Sequence, residues 1–503
     1  MRINASSKQK TMACFSIRPI IQFFRPIFFS GIILLLLLQF ISTSISIMKK
    51  LIYLFLLLIS WTTMAAAQEH LPSNFYLQRL SNGLQVLVIE DNSVPLATIE
   101  IAVHNGSYTE DSAFNGLSHL YEHMFFKANK DIPSQEAYLK RVQELGISFN
   151  GTTSEERVNY FFTLPVGNLD EGLKFMNSAI RYPLFLEQEM KNENPVVDGE
   201  FQRAESNPAF LLFQDYNKAM WGKLYVRKNP IGIHDVILTA TPEKMRTIQS
   251  KYYWPNNSIL VIAGDVKHDV IFTKVNNLFG DWQSSGFDPF EKWPIPVFEP
   301  IKQNKSFITI NENSRVPFVI QGWHGPDTRN DVKATYSADV FSFILSQSSS
   351  KFQQELVDSG LAYQVQFGYQ TCKYTGPIQL FFVPNPQHLK ECMKKVEEQI
   401  NLWDSDNYFT DEQLQTAINQ LIISQTYEKE KTSAYVHTVT FWWGSANIDY
   451  YTTYTDNLKK VTRQDIQDYV RKYIKNKPKV SGILMSSAMQ KMLGITSYDQ
   501  LFQ

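Results

Sequence analysis

The chain repeats itself, and that constrains its fold more than any single motif. Leu87-Val88-Ile89-Glu90-Asp91-Asn92-Ser93-Val94-Pro95 is echoed by Ile308-Thr309-Ile310-Asn311-Glu312-Asn313-Ser314-Arg315-Val316-Pro317, so the two prolines stand 222 residues apart. Thr241-Pro242-Glu243 opens a helix leading through Lys251-Tyr252-Tyr253 to an apolar strand at 259–263. Thr462-Arg463-Gln464-Asp465 opens another, leading through Lys472-Tyr473-Ile474 to a strand at 480–485, and these two starts lie 221 apart. Gln143-Glu144-Leu145 has a counterpart in Gln354-Glu355-Leu356. A period of this size means two copies of one fold, each near two hundred residues.

Within each copy the pattern is α+β. In the first, strands are predicted at 84–89, 98–103 and 158–164, a helix around Ser118, further helices at 169–178 and 210–220, and a closing strand at 259–263. Hairpin-like strands interrupted by helices predict two homologous domains, each a mostly antiparallel sheet with helices packed on one face. The expected division is an upstream extension and signal peptide over 1–67, an N-terminal domain over 68–285, a linker over 286–300 containing Pro and Trp, and a C-terminal domain over 301–503.

Two apolar stretches precede the repeat. The first runs over 31–47 behind Arg18 and Arg25. The second begins at Met48-Lys49-Lys50 and ends at Ala65-Ala66-Ala67. A basic start, a short apolar core and an A-x-A site describe a secretory signal, so Met48 is read as the true start and the body as exported, periplasmic or membrane-associated. The competing reading makes the first stretch an anchor, although it is marginally long for one. A formal net charge of −1 implies no nucleic-acid or anionic-membrane partner. Three cysteines exclude a disulfide framework, and whether Cys372 and Cys392 pair is open.

The first copy alone carries His119-Leu120-Tyr121-Glu122-His123. Two histidines four apart on a helix share a face, and Glu122, three after the first, shares it with them. Two imidazoles and a carboxylate converging on one point are what a catalytic zinc site needs, and the order H-x-x-E-H is the inverted zinc-peptidase motif. The equivalent position in the second copy is Phe341, with no His or Glu around it. A structural requirement of the fold would appear twice, so the asymmetry favours a functional role.

HLYEH, the upstream Glu110 and Gly116, Asn150-Gly151-Thr152-Thr153, the segment from Glu193 to Glu200 and Tyr252-Tyr253-Trp254-Pro255-Asn256-Asn257 together resemble the pitrilysin/insulin-degrading-enzyme (insulinase) family, in its short two-domain form similar to mitochondrial processing peptidase subunits. The resemblance implies a third zinc ligand 76 to 77 residues past the second histidine, which selects Glu200, completing His119, His123 and Glu200 around one Zn²⁺ per chain. It implies an acidic residue supporting the site, Glu193, although Pro195 predicts a helix beginning near Asn194 with Glu193 just outside it. It implies that Asn150 begins an edge strand that binds substrate backbone, while Asn-Gly on its own predicts a hairpin turn.

From the second copy the resemblance implies a substrate-holding Arg and Tyr seven apart. Tyr363 matches, as a group to bond the substrate or the tetrahedral intermediate, but Leu356 occupies the Arg position. The expected function is therefore a zinc endopeptidase acting on peptides, with Glu122 as general base, in a heterodimer with a sister chain that supplies the missing Arg/Tyr pair, or in a homodimer. A non-catalytic assembly or binding subunit is the alternative.

Overall fold

The computed structural model describes residues 71–503; the predicted leader and anchor segments lie outside the described residues. The first sheet holds β1 (Phe75–Arg79), β2 (Gln85–Glu90), β3 (Leu96–Val103), β4 (Ser148–Thr153), β5 (Val158–Pro165) and β6 (Ser258–Gly264), in the order β1-β2-β6-β3-β5-β4. The second holds β7 (Lys305–Ile310), β8 (Phe318–His324), β9 (Ala362–Tyr369), β10 (Pro377–Pro384) and β11 (Val480–Met485), in the order β7-β11-β8-β10-β9. Read from β2, the two orders are the same, strand for strand. Each opens on a parallel pair, β2 with β6 and β7 with β11, and every other pairing is antiparallel. The repeat in the sequence is thus a repeat of topology, and the class is α+β.

The helices that follow each repeat signal form where the caps direct. Thr462 caps the Arg463–Tyr473 helix reciprocally with Asp465, and Pro242 sits at the first position of the Pro242–Tyr252 helix, where its missing N–H costs nothing. In the first half, the Leu117–Phe125, Gln135–Leu145 and Leu169–Arg181 helices cover one face of the sheet through Leu120, Tyr121, Phe125, Tyr138 and Leu173, which meet Val86, Ile99, Ile101 and Ile262. In the second half, Phe341 fills the place corresponding to His119. It is fully buried and packs edge-on to Trp403, Phe367 and Tyr469.

The opposite face of each sheet is covered by the other half. The Thr432–Ser445 helix lays Tyr435, Val436, Val439 and Trp443 on Leu87, Ile89, Ile259 and Val261 of the first sheet. In return, the Pro208–Trp221 helix lays Leu212, Tyr216, Met220 and Trp221 on Ile320, Val480 and Leu484 of the second. Both faces of the central strands are therefore covered, and β6 and β11 are buried at every position, which suits the apolar runs at 259–263 and 483–485. The sequence pattern predicts helices on one face of each sheet; the exchanged helix adds the second layer. Both Cys372 and Cys392 are buried free thiols.

Candidate metal centre

The Leu117–Phe125 helix presents the motif. Its core side carries Leu117, Leu120, Tyr121, Met124 and Phe125, which leaves His119, Glu122 and His123 on the side facing a cleft. The helix start is fixed by Glu110, whose buried carboxylate accepts the amide hydrogens of Gly116 at 2.8 Å and Ser118 at 2.7 Å, satisfying N–H groups that a helix leaves unpaired. Gly116 caps the helix in the left-handed region, at φ 90°. It lies so close to Gly232 that a Cβ there would come within 2.6 Å of the Gly232 Cα. Two glycines back to back therefore set where the helix begins.

The third side chain arrives on the Glu187–Glu205 helix. Here the structure corrects the sequence expectation: the helix does not begin near Asn194 but runs straight through Pro195, with Glu193 inside it. An interior proline costs about 3 kcal/mol or more where its ring and missing N–H disrupt the helix. Pro195 and Lys191, whose carbonyl loses its partner, are both on the solvent side, where water can satisfy that oxygen, while Met190, Val197 and Phe201 bury the other side. Glu193 and Glu200, two turns apart, consequently face the cleft together.

Glu200 Oε2 lies 3.6 Å from His119 Nε2, and Glu200 Oε1 lies 4.0 Å from His123 Nε2. The two imidazoles meet nearly at right angles, with ring centroids 4.9 Å apart. One ligand atom from each of the three residues falls within 4.8 Å of both others. Tetrahedral zinc with bonds near 2.0–2.1 Å separates its ligand atoms by about 3.3 Å, so two imidazoles and a carboxylate at these spacings fit such an ion after sub-ångström movement of each. Burial, and secondarily His123 beside it, push the His119 imidazole down to about 4, which keeps it neutral with a lone pair to give.

Around these three stand supporting groups. Burial works to lower the His123 pKa, but its hydrogen bond to Glu193 and the surrounding carboxylates raise it overall. That bond joins His123 Nδ1 and Glu193 Oε1 at 2.8 Å and leaves Nε2 directed at Glu200. Glu122 is buried, which raises its pKa, while the hydroxyl of Thr153 donates to Glu122 Oε2 at 2.8 Å and opposes the rise. A Cβ at Gly151 would come within 2.7 Å of Glu122 Oε1, so the bare backbone of β4 forms the wall against which this carboxylate lies.

The cleft has a volume of about 460 Å³ and is bordered by β4 from Phe149 to Thr153. The Asn-Gly turn reading is overturned. Asn150 and Gly151 lie within β4, paired with Phe161 and Tyr160 of β5, and the chain turns later, between Thr153 and Val158. Asn150 is exposed at the cleft and accepts the Gly151 N–H through Oδ1 at 2.9 Å. Tyr363 does not join this group. It stands on β9, the outer strand of the second sheet, 58% exposed and not among the residues that wall the cleft. Leu356 is fully buried in the second core. The sequence reading gave no role to Thr153 or Lys127; the only signal for Lys127 was its place one helical turn past His123.

A family model described as "Insulinase (Peptidase family M16)" matches residues 85–230, and one described as "Peptidase M16 inactive domain" matches residues 239–421. The chain belongs to the insulinase family, M16. The second match begins ahead of β6, so the border between the two models is not the border between the two sheets. Among M16 relatives, the chain is 26% identical over 332 residues to an "uncharacterized zinc protease" of Rickettsia felis, a match covering 66% of this chain and 78% of the relative. A solved protease from Helicobacter pylori shares the fold with a TM-score of 0.73 and 22% identity, over 82% of this chain and all of that one. The periplasmic protease PqqL of Escherichia coli does so with a TM-score of 0.65 and 16% identity, over 86% of this chain and 50% of that one.

Proposed function

We propose that this M16 chain is a zinc-dependent endopeptidase acting on unfolded peptides, with residues 68–285 as its zinc-binding half and 301–503 as a half without the metal motif. The observation that carries the reading is the convergence of His119, His123 and Glu200 in one cleft with Glu122 and an open strand edge beside them. His119, His123 and Glu200 would hold one Zn²⁺ per chain, which when bound would supply Lewis acidity to a water and to the scissile carbonyl.

Glu122 takes the proton of that water as general base and delivers it to the leaving amine. Thr153 engages Oε2, so Oε1, against Gly151, is the oxygen left for proton transfer. A carboxylate whose pKa is raised by burial is better matched to such work near neutrality. The outer edge of β4, with Asn150, accepts the peptide backbone as an added strand, which holds many sequences with little side-chain preference.

From the second half, Tyr363 is the residue we assign to bond the substrate or the tetrahedral intermediate, reaching it only in the assembled complex, since it does not wall the cleft of the single chain. Because Leu356 is buried where a clamp Arg would stand, we propose a heterodimer in which a sister chain contributes the Arg/Tyr pair, with a homodimer as the alternative assembly. Export rests on the leader at 48–67 and is supported by the fold shared with a periplasmic protease.

The test is zinc content and peptide hydrolysis of the purified mature chain, alone and mixed with a sister chain, beside Glu122→Gln. A metal-free protein, or equal hydrolysis by the variant, overturns the assignment. A metal-free protein would support the second reading, a non-catalytic assembly subunit, which the match of 239–421 to an "inactive domain" keeps in view. Full activity of the chain alone, as a monomer, overturns the heterodimer.

A further inference from the structure

Lys127 lies one helical turn past His123 and just beyond the end of the motif helix, and it is 4% exposed. Its ammonium group meets Glu193 Oε2 in a buried ion pair. The other oxygen of the same carboxylate meets His123 Nδ1. Glu193 is thus held at both oxygens by two side chains from one turn, with no freedom to rotate without breaking a buried charged contact.

The backbone beside Lys127 is fixed independently. Glu189, one turn before Glu193 on the same helix, accepts the amide hydrogens of Ala128 at 3.1 Å and Gln135 at 2.9 Å. Lys127 therefore has its main chain and its ammonium tied to a single helix, the one that carries Glu200. Charge points the same way. Glu122, Glu193, Glu200 and Lys127, all lining the cleft, sum to a formal −2, which a divalent cation cancels.

Resting on the zinc-site reading above, we infer that Lys127 is a positioning residue for the metal: it locks Glu193 so that the carboxylate receives His123 Nδ1–H and directs the Nε2 lone pair at the ion. Without the ammonium, Glu193 is free to turn, His123 loses its fixed tautomer, and the carboxylate can swing into the cleft as a competing ligand.

The experiment is a zinc-affinity titration of the full mature chain against a chromophoric chelator, with thermal melting of each variant alongside. Lys127→Met is expected to weaken zinc binding by about 10- to 100-fold, the usual cost of losing a group that orients a metal-bound histidine. Lys127→Arg is expected to recover part of the loss. Should the Met variant not fold, Lys127→Gln, which keeps a donor but no charge, gives the same readout. The decisive comparison is the double variant: because Lys127 acts through Glu193, Lys127→Met adds nothing further in a Glu193→Gln background. Wild-type affinity in the folded Lys127 variants, or losses that multiply in the double variant, overturns the inference and leaves the zinc reading standing. A wild-type chain that binds no zinc sinks both.

Discussion

The hydroxyl of Thr153 and the carboxylate of Glu122 meet at 2.8 Å, joining the edge strand of the first sheet to the motif helix. One hydrogen bond therefore holds the proposed general base in position and tempers the rise in its proton affinity that burial imposes. A neutral donor to a charged group contributes about 1.5–3 kcal/mol. Thr153→Val is expected to lower kcat by about 10- to 100-fold with KM little changed, and Thr153→Ser to restore it. The bond holds the Glu122 pKa below the value that burial alone would set. Its loss moves the acid limb of the kcat profile to higher pH. An unchanged kcat would show that Thr153 does not position the base.

Glu122 and Glu200 separate catalysis from metal retention. Glu122→Gln is expected to lose about 10²- to 10⁴-fold in peptide hydrolysis while binding one zinc per chain. Glu200→Ala loses the ion itself, which metal analysis after gel filtration reads directly. Chelation of the wild type abolishes hydrolysis, and zinc restores it to a maximum at one equivalent. Restoration at two equivalents would contradict a single-ion site.

The Gly116–Gly232 contact gives a stability prediction tied to the site. Gly116→Ala places a methyl within 2.6 Å of backbone at φ 90°. Such strain costs about 1–3 kcal/mol and is relieved by moving the start of the motif helix. A lower midpoint in urea accompanied by weaker zinc binding is expected. Full stability and affinity would mean that the two backbones separate at no cost.

His437 couples acid to the interface between the halves. Arg157 Nη2 lies 3.1 Å from His437 Nε2, and Arg157 also donates to the His437 carbonyl and to Thr440 Oγ1, both at 2.7 Å. Burial, with Arg157 beside it, pushes the His437 pKa down to about 4. An unfolded histidine takes up its proton near 6.5, so this group's contribution is present above that pH and is lost as pH falls toward 4. Buried Glu100, raised to about 7 by burial, lies 4.0 Å from His437 Nδ1 and titrates in the opposite sense over part of the range. His437→Gln is therefore expected to show a smaller fall in melting temperature than wild type on acidification from about pH 7 to 4. An equal or steeper fall would remove His437 from the acid response.

What could be read in advance follows from the range of each interaction. The strands, the helix starts at Thr241-Pro242 and Thr462 and the motif helix depend on neighbours in sequence, and the repeat carries the strand-and-helix pattern of one half over to the other. The spacing of 77 residues between His123 and Glu200 came from the family resemblance; no local pattern joins them. Pro195 misleads because burial of Met190, Val197 and Phe201 holds the helix together across it, and the carbonyl it frees, that of Lys191, faces water. Asn150-Gly151 misled because strand pairing with β5 and the close approach of Glu122 override the local turn preference. The helix at 210–220 is legible from its spacing, but its packing on the other half's sheet is not, nor is the pairing of Lys127 with Glu193, since each is defined by a partner distant in sequence.

The mutual loan of the Pro208–Trp221 and Thr432–Ser445 helices has a consequence for how the polypeptide comes apart. A protease nick anywhere in 286–300 would break the covalent thread without freeing either piece, since each still clasps an apolar strip belonging to the other. Expressed singly, each fragment would leave one flank of its sheet bare and invite aggregation; co-expressed, they should reunite. The covalent link thus matters more for stoichiometry than for cohesion.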